Sequence, residues 1–219
     1  MLRGLFVTGT DTGVGKTVVC AALMHRYRAE APLRYWKPIQ TGIEQDDDTA
    51  EVERLGDCRP HELLSSGVRL PRPVSPHLAA RLNGTTIELQ PLIDSMPANR
   101  GGWIVEGAGG VLVPINESET MVELMIRLGL PVVVVTRTGL GTINHTLLTL
   151  EALGRRALPV AGVVMVGDPH AENRTAIERY GDTVVLGDMP RFDRLTAERL
   201  RDWAATELDP QQHLLELLR

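Results

Sequence analysis

The residues best equipped for chemistry lie in one stretch, Gly9-Thr10-Asp11-Thr12-Gly13-Val14-Gly15-Lys16-Thr17, directly after the apolar run Leu5-Phe6-Val7. A strand, a glycine-rich turn and a helix start, in that order, make a phosphate cradle. Glycines let backbone N–H groups turn toward an anion, Lys16 can reach β- and γ-phosphates, and the Thr17 hydroxyl can bind Mg²⁺. The expected nucleotide-binding set is therefore Asp11, Thr12, Gly13, Val14, Gly15, Lys16, Thr17 and Val18. The strict motif places a glycine five residues before Gly15; that position is Thr10, and Gly9 sits one residue early. A turn that binds nothing is the plain alternative. A charged lysine at a helix N-terminus opposes the helix dipole, which favours the anion.

Other groups of this kind are spread along the chain. Lys37 precedes Pro38, which fixes an extended exit; by itself it reads more readily as a solvated strand-end lysine than as a functional one. Glu106 closes an apolar run, in the place where P-loop proteins put an acidic Mg²⁺ partner. Gly109 and Gly110 follow, for close approach to a ligand or for a tight turn. Asp46-Asp47-Asp48 reads as a solvated loop, a helix N-cap or the source of one metal ligand. Gly139-Leu140-Gly141-Thr142-Ile143-Asn144 opens a helix whose free N–H groups suit a carboxylate, with Thr142 or Asn144 as simple caps the alternative. Gly167 and the loop at Pro190 are the expected walls of a base pocket. Gly167 offers only backbone groups there, which leaves base discrimination loose and Asn173 as a helix cap.

These residues need a scaffold to bring them together. Strand patterns fall at 2–8, 33–37, 103–106, 131–136, 160–166 and 183–186, with helical patterns at 16–28, 120–128, 142–155, 172–180 and 196–206. The unbroken apolar run at 131–136 is the mark of a strand buried on both faces. This alternation implies an α/β fold, P-loop NTPase-like and doubly wound, with a mostly parallel sheet flanked by helices. Ligands in such sheets bind beyond the carboxyl ends of the strands, where the distinctive loops fall. Residues 43–99 carry six prolines and the three aspartates, and are expected as an irregular insertion over the active-site edge of a single domain, 1–219. Leucines at 214, 215, 217 and 218 predict a C-terminal helix packed on the body or on a partner subunit.

Bulk properties narrow the function further. A net charge of −5 argues against nucleic-acid and membrane-surface partners. The two cysteines, Cys20 and Cys58, match no metal-ligand spacing, and Cys20 reads as a buried small apolar residue. No stretch approaches a membrane span and no signal pattern opens the chain, so a reducing, cytoplasmic setting is expected.

The segments 7–17, 37–42, 48–51, 75–77, 105–110 and 140–145, in this order, resemble the dethiobiotin synthetase family over residues 4–161. The family's loop has the same Thr-Gly-Thr-Asp-Thr form, which accounts for the displaced glycine. The resemblance implies a homodimeric, Mg²⁺-requiring ligase, with active sites at or near the subunit interface, that closes a urea ring from 7,8-diaminopelargonate and CO₂ with ATP as co-substrate. CO₂ adds to one amine to give a carbamate. The carbamate oxygen attacks the γ-phosphate, and the second amine then displaces phosphate and closes the ring. The chemistry is chiefly positioning and charge stabilisation. By resemblance Lys37, Lys16 and Thr12 are catalytic, and Thr17, Asp48 and Glu106 hold the metal. Thr41, Gly109 and Gly110 meet substrate, while Gly141, Thr142 and Asn144 of the neighbouring subunit take its carboxylate. Two adjacent cations would lower the pKa of one or both lysines. Ser75-Pro76-His77 reads as a helix start that shapes a lid, and His145 as a packing residue.

Three rivals share the architecture. A partitioning-type regulatory ATPase carries a second lysine early in the cradle, where this chain has Asp11. A small-molecule kinase needs no CO₂. A cobalamin-type amidotransferase ligase carries an extra glutamine-hydrolysing domain for which this chain is too short.

Overall fold

The computed structural model describes residues 2–97 and 101–219. The end of the expected 43–99 insertion lies outside the described residues. The chain opens with β1 (Gly4–Gly9), the cradle turn and α1 (Lys16–Tyr27). β2 (Leu33–Trp36), β3 (Ile39–Thr41) and α2 (Asp48–Gly56) come next. A single 3₁₀ turn at Pro60–Glu62 leads to β4 (Leu63–Leu64), β5 (Val68–Leu70), α3 (Pro76–Leu82) and α4 (Leu89–Asp94). Next are β6 (Gly102–Gly110), α5 (Met121–Leu128), β7 (Val132–Arg137) and α6 (Thr142–Gly154). The chain then runs through β8 (Val160–Val166), α7 (Ala171–Gly181), β9 (Val185–Met189), α8 (Ala197–Thr206) and α9 (Leu215–Leu218).

Seven strands form one sheet in the order β4-β2-β6-β1-β7-β8-β9, and β3 pairs with β5 in a second, two-stranded sheet. Every pairing between named strands is parallel. Parallel strands covered on both faces must be apolar throughout, and the strand residues obey this by alternation. Leu5, Val7, Val133, Val135 and Val164 feed one core, with α1, α2, α8 and the C-terminal leucines. Phe6, Val132, Val134, Val163 and Met165 feed the other, with α3 to α7. Chain order reverses about β1: strands β2, β4 and β6 lie to one side of it and β7, β8 and β9 to the other. That reversal opens a crevice at the strand ends, and the cradle sits on it.

The structure corrects the sequence expectations at four places. β6 does not end at Glu106 but continues to Gly110, because its pairing with β1 skips from Val7↔Glu106 to Gly9↔Gly110 and absorbs the extra residues as an irregularity. Residues 43–97 are not irregular. They hold α2, α3 and α4, lend β4 to the main sheet and pair β5 with the unforeseen β3. The C-terminal helix is only four residues long; Leu214, Leu215 and Leu218 are nonetheless buried against the first core. The last strand runs over Val185–Met189, two residues later than its pattern suggests.

Candidate active site

The cradle is shaped by its glycines. Gly15 caps α1 with φ +102 and Gly13 has φ +68, both in the left-handed region where a side chain would be strained. A Cβ on Gly15 would also sit 3.3 Å from a Val166 methyl. The turn therefore exposes backbone donors at the start of α1, with Lys16 as the first helical residue. The Lys16 ammonium curls back onto the Asp11 carbonyl at 3.0 Å and is 7% exposed. Burial pulls its pKa below the ordinary lysine value, and the nearby Lys37 charge adds to this.

Lys37 leaves the end of β2 and turns into the same space, 3% exposed. Its Nζ donates to Glu106 Oε1 at 2.8 Å and to the Gly107 carbonyl at 3.0 Å, and lies 2.6 Å from Asp48 Oδ2. Burial works to lower the Lys37 pKa, but the Glu106 and Asp48 carboxylates outweigh it and hold the ammonium above its ordinary value. Only Lys16 thus behaves as two neighbouring cations would suggest. For Asp48, burial pushes the carboxyl up and the Lys37 charge overrides it, leaving the group below the usual aspartate value.

The three expected metal ligands meet at one hydroxyl. Thr17 Oγ1 lies 2.9 Å from Asp48 Oδ1 and 3.0 Å from Glu106 Oε1. One hydroxyl has one proton, so it cannot satisfy both carboxylate oxygens at once. The donor set, two carboxylates and a hydroxyl, is hard and oxygen-only. It fits a small divalent cation such as Mg²⁺ and would suit a thiophilic metal poorly. Among the described residues no group of three or more His, Cys, Asp and Glu forms an alternative metal centre.

The aspartate run is resolved by helix geometry. Asp47 is the N-cap of α2, its carboxylate accepting from the N–H groups of Thr49 and Ala50 at 2.9 and 3.1 Å. Asp48, the first helical residue, is thereby turned inward to Thr17 and Lys37. Asp46 gives its carbonyl to the Gln40 amide at 2.5 Å.

A cavity of about 960 Å³ gathers Thr12, Gly13, Gly15, Lys16, Thr17, Val18, Lys37, Thr41, Asp48, Glu106 and Gly109. Val74, Ser75 and Pro76 line it too, and Ser75 stands at the N-cap position of α3, the expected helix start. The structure does not bring Asp11, Val14, Gly110, Gly141, Thr142, Asn144, Gly167 or Pro190 to this cavity. Val14 points into the first core. Asp11 is exposed, accepts the Thr12 N–H at 2.7 Å and faces Arg137. The Thr142 hydroxyl is buried in a chain of threonines, 2.9 Å from Thr136 Oγ1 and 2.5 Å from the Arg137 carbonyl, so its side chain is not free to take a carboxylate. Asn144 and Gly141 are exposed at the start of α6. Gly167 has φ +140, and a Cβ there would strike the Thr138 hydroxyl. Asn173 does not cap α7, a task taken by His170; its amide donates to the Thr138 carbonyl at 2.8 Å.

Three contributors escaped the sequence reading. Tyr35 donates to Glu106 Oε2 at 2.8 Å from a fully buried position. It lies two residues before Lys37 and so on the same strand face, which is the signal that could have found it. Arg137, at the carboxyl end of β7, donates to the Thr12 carbonyl at 3.1 Å and clasps the cradle from outside. Arg69 donates to the Lys37 carbonyl at 2.8 Å.

With this geometry in hand, known proteins can be compared. Residues 3–199 match the family model described as AAA domain. The chain is 50% identical over 196 residues to the ATP-dependent dethiobiotin synthetase of Paramagnetospirillum magneticum, covering 90% of this chain and 92% of that one. It is 45% identical over 201 residues to the enzyme of the same name from Rhodopseudomonas palustris strain HaA2, covering 92% of each. Among solved structures, the septum site-determining protein MinD of Pyrococcus horikoshii, complexed with Mg-ADP, superposes with a TM-score of 0.58. It is 16% identical and covers 99% of this chain and 94% of that one, a likeness of fold alone.

Proposed function

Since the chain belongs to the ATP-dependent dethiobiotin synthetase family of ligases in biotin biosynthesis, we propose that its ring closure takes place in the cavity where Lys16 and Lys37 meet. The observation that carries this reading is the convergence of both ammonium groups with Thr17, Asp48 and Glu106 on one concavity. Substrates of the resembled reaction are 7,8-diaminopelargonate, CO₂ and a nucleoside triphosphate.

In this proposal Lys16 and the cradle amides hold the phosphate tail. Lys37 sits where the carbamate would lie and offsets its charge as the oxygen attacks phosphorus. Thr12, Thr41 and Gly109 border the reacting anion and the amines, and Gly110, outside the cavity, is left as part of the turn. Thr17, Asp48 and Glu106 would hold Mg²⁺, which neutralises phosphate charge when bound. Gly141 and Asn144, exposed and outside the cavity, are assigned to the substrate carboxylate of a neighbouring subunit. A homodimer is proposed on the same ground, together with the fully exposed Leu140 beside them. We read residues 1–219 as one P-loop domain, supported by a seven-stranded sheet that draws its strands from Gly4 to Met189. Both cysteines are free, and among the described residues no helix is long and apolar enough to cross a membrane; a cytoplasmic setting is proposed with these.

The test supplies diaminopelargonate, bicarbonate, Mg²⁺ and each nucleoside triphosphate in turn, with dethiobiotin read by mass. A product with ATP is expected. A stable phosphorylated diamine instead would mark a kinase, and nucleotide turnover without either product would mark a switch. Mixed Lys37→Gln and Asn144→Ala dimers should regain activity if each site is shared. No recovery in verified heterodimers would place the site within one chain.

A further inference from the structure

β5 runs parallel to β3 in a small sheet outside the main one, directly behind Lys37. The two strands are tied close: Val68 N donates to the Pro38 carbonyl at 2.8 Å, and Trp36 Nε1 donates to the Ser66 carbonyl at 2.7 Å. Gly67, at φ +146, makes this approach, since a Cβ there would lie 2.6 Å from the Pro38 carbonyl oxygen and 2.8 Å from Arg69 Nη1. Arg69 stands opposite Gln40 in the register and is half-buried. Its Nη1 donates to the Lys37 carbonyl at 2.8 Å, and its Nη2 donates to Thr49 Oγ1 at 3.4 Å.

The two ends of this bridge are informative. One is the backbone of the lysine at the reacting centre; the other is the residue next to Asp48 in the first turn of α2. Lys37 and Asp48 are therefore linked in front, by their ion pair at 2.6 Å and through Glu106 and Thr17, and behind by Arg69. In the proposed reaction the front link faces competition, because the substrate anion draws on the Lys37 ammonium and a cation on the Asp48 carboxylate. The rear link uses neither the ammonium nor the carboxylates, so it keeps the spacing of the two once they take up those tasks. A planar guanidinium suits the part, since it spans two acceptors in a fixed fork and stays charged.

We infer that Arg69 is a positioning residue for ring closure, a rear clamp that holds Lys37 and Asp48 in register while their own ion pair is broken. The inference rests on the proposed roles of those two residues. The cradle that holds the nucleotide is untouched by Arg69.

The experiment compares Arg69→Ala, Arg69→Lys and Thr49→Val with the unaltered enzyme. It reads kcat, the Mg²⁺ concentration for half-maximal rate, metal-free ADP affinity and the melting temperature. Loss of an outer-shell partner costs about 10- to 100-fold in activity or metal affinity. Arg69→Ala should lower kcat and raise the Mg²⁺ requirement on that scale, with ADP affinity within about twofold. Added guanidinium ion should restore part of the rate, and Thr49→Val should shift both parameters in the same direction by less. Unchanged kcat and Mg²⁺ response would overturn the inference. So would losses in which ADP affinity and melting temperature fall in parallel, since that is damage to the fold. Lys37→Gln, run alongside, separates the levels: ring closure surviving there removes the site reading itself, whereas a dead Lys37→Gln beside a normal Arg69→Ala removes the clamp alone.

Discussion

In the phosphate cradle every group comes from residues 9–17, and the geometry is set by backbone: Gly13 and Gly15 take left-handed φ values and Lys16 follows at once. A few residues to one side, Lys37, Asp48, Glu106 and Tyr35 arrive on three separate elements and their junctions. They hold one another by side-chain bonds of 2.6 to 2.8 Å. The cradle is a local motif. The cluster is a tertiary one, assembled from β2, α2 and β6 and buttressed by β3 and β5. Damage to the first should stay local, whereas damage to the second should spread between metal, lysine and fold. Its buried ion pair leaves an uncompensated charge when one partner goes.

The largest effect that would sharpen this contrast is on the cradle side. Lys16→Ala deletes the charge proposed to face phosphate and should lower kcat/KM at least about 100-fold. Its melting temperature should barely move, because the Lys16 ammonium bonds a turn carbonyl, that of Asp11, and among the described residues forms no ion pair. Near-normal turnover in steady-state assays would break the comparison. On the cluster side, Asp48→Asn should raise the Mg²⁺ needed for half-maximal rate by about 10-fold or more. It should also lower stability at neutral pH, since the Asp48 pKa is depressed in the folded state. That stability is present above the unfolded aspartate value and fades as pH falls through the folded one. The loss should therefore vanish in acid, which melting curves at several pH values would show.

Asp47→Ala separates neighbours within the run. It removes the α2 cap and should cost about 1 kcal/mol of stability, read by denaturant titration. Its effect on Mg²⁺ should be much smaller than that of Asp48→Asn. A reversed ranking would reassign the metal ligand. The smallest effect belongs to a local motif with no chemistry, the capping box at α5, where Glu123 accepts from the Thr120 N–H at 2.6 Å. Glu123→Ala should cost about 0.5–1 kcal/mol, with no change in turnover.

The same contrast explains what the sequence disclosed. The parallel, doubly wound character of the main sheet was legible because strands buried on both faces are apolar along their length, as Val132–Val135 is; the order of its strands was not. The cradle was legible because its spacing is its geometry. Lys37, Asp48 and Glu106 gained meaning chiefly through family resemblance, since nothing local shows that a strand-end lysine is 3% exposed. Asp48 was preferred to its two neighbours by resemblance alone; the physical difference between the three lies in the helix start, where Asp47 caps α2 and Asp48 turns to Thr17 and Lys37. β3, β5 and Arg69 were hidden: a strand of three residues carries too little pattern to be seen. The Thr142 hydroxyl misled because a free helix start and one sealed by Thr136 share a sequence signature.

The claim on which all of this depends is that the two ammonium groups divide one pocket, Lys16 for the phosphate tail and Lys37 for the CO₂-derived anion. Single-turnover measurement on Lys37→Gln tests it, with nucleotide affinity and dethiobiotin formation read on the same folded sample. The account predicts nucleotide affinity within about twofold of the unaltered enzyme and ring closure lowered at least about 100-fold. Parallel loss of both, or ring closure at the original rate, would contradict it.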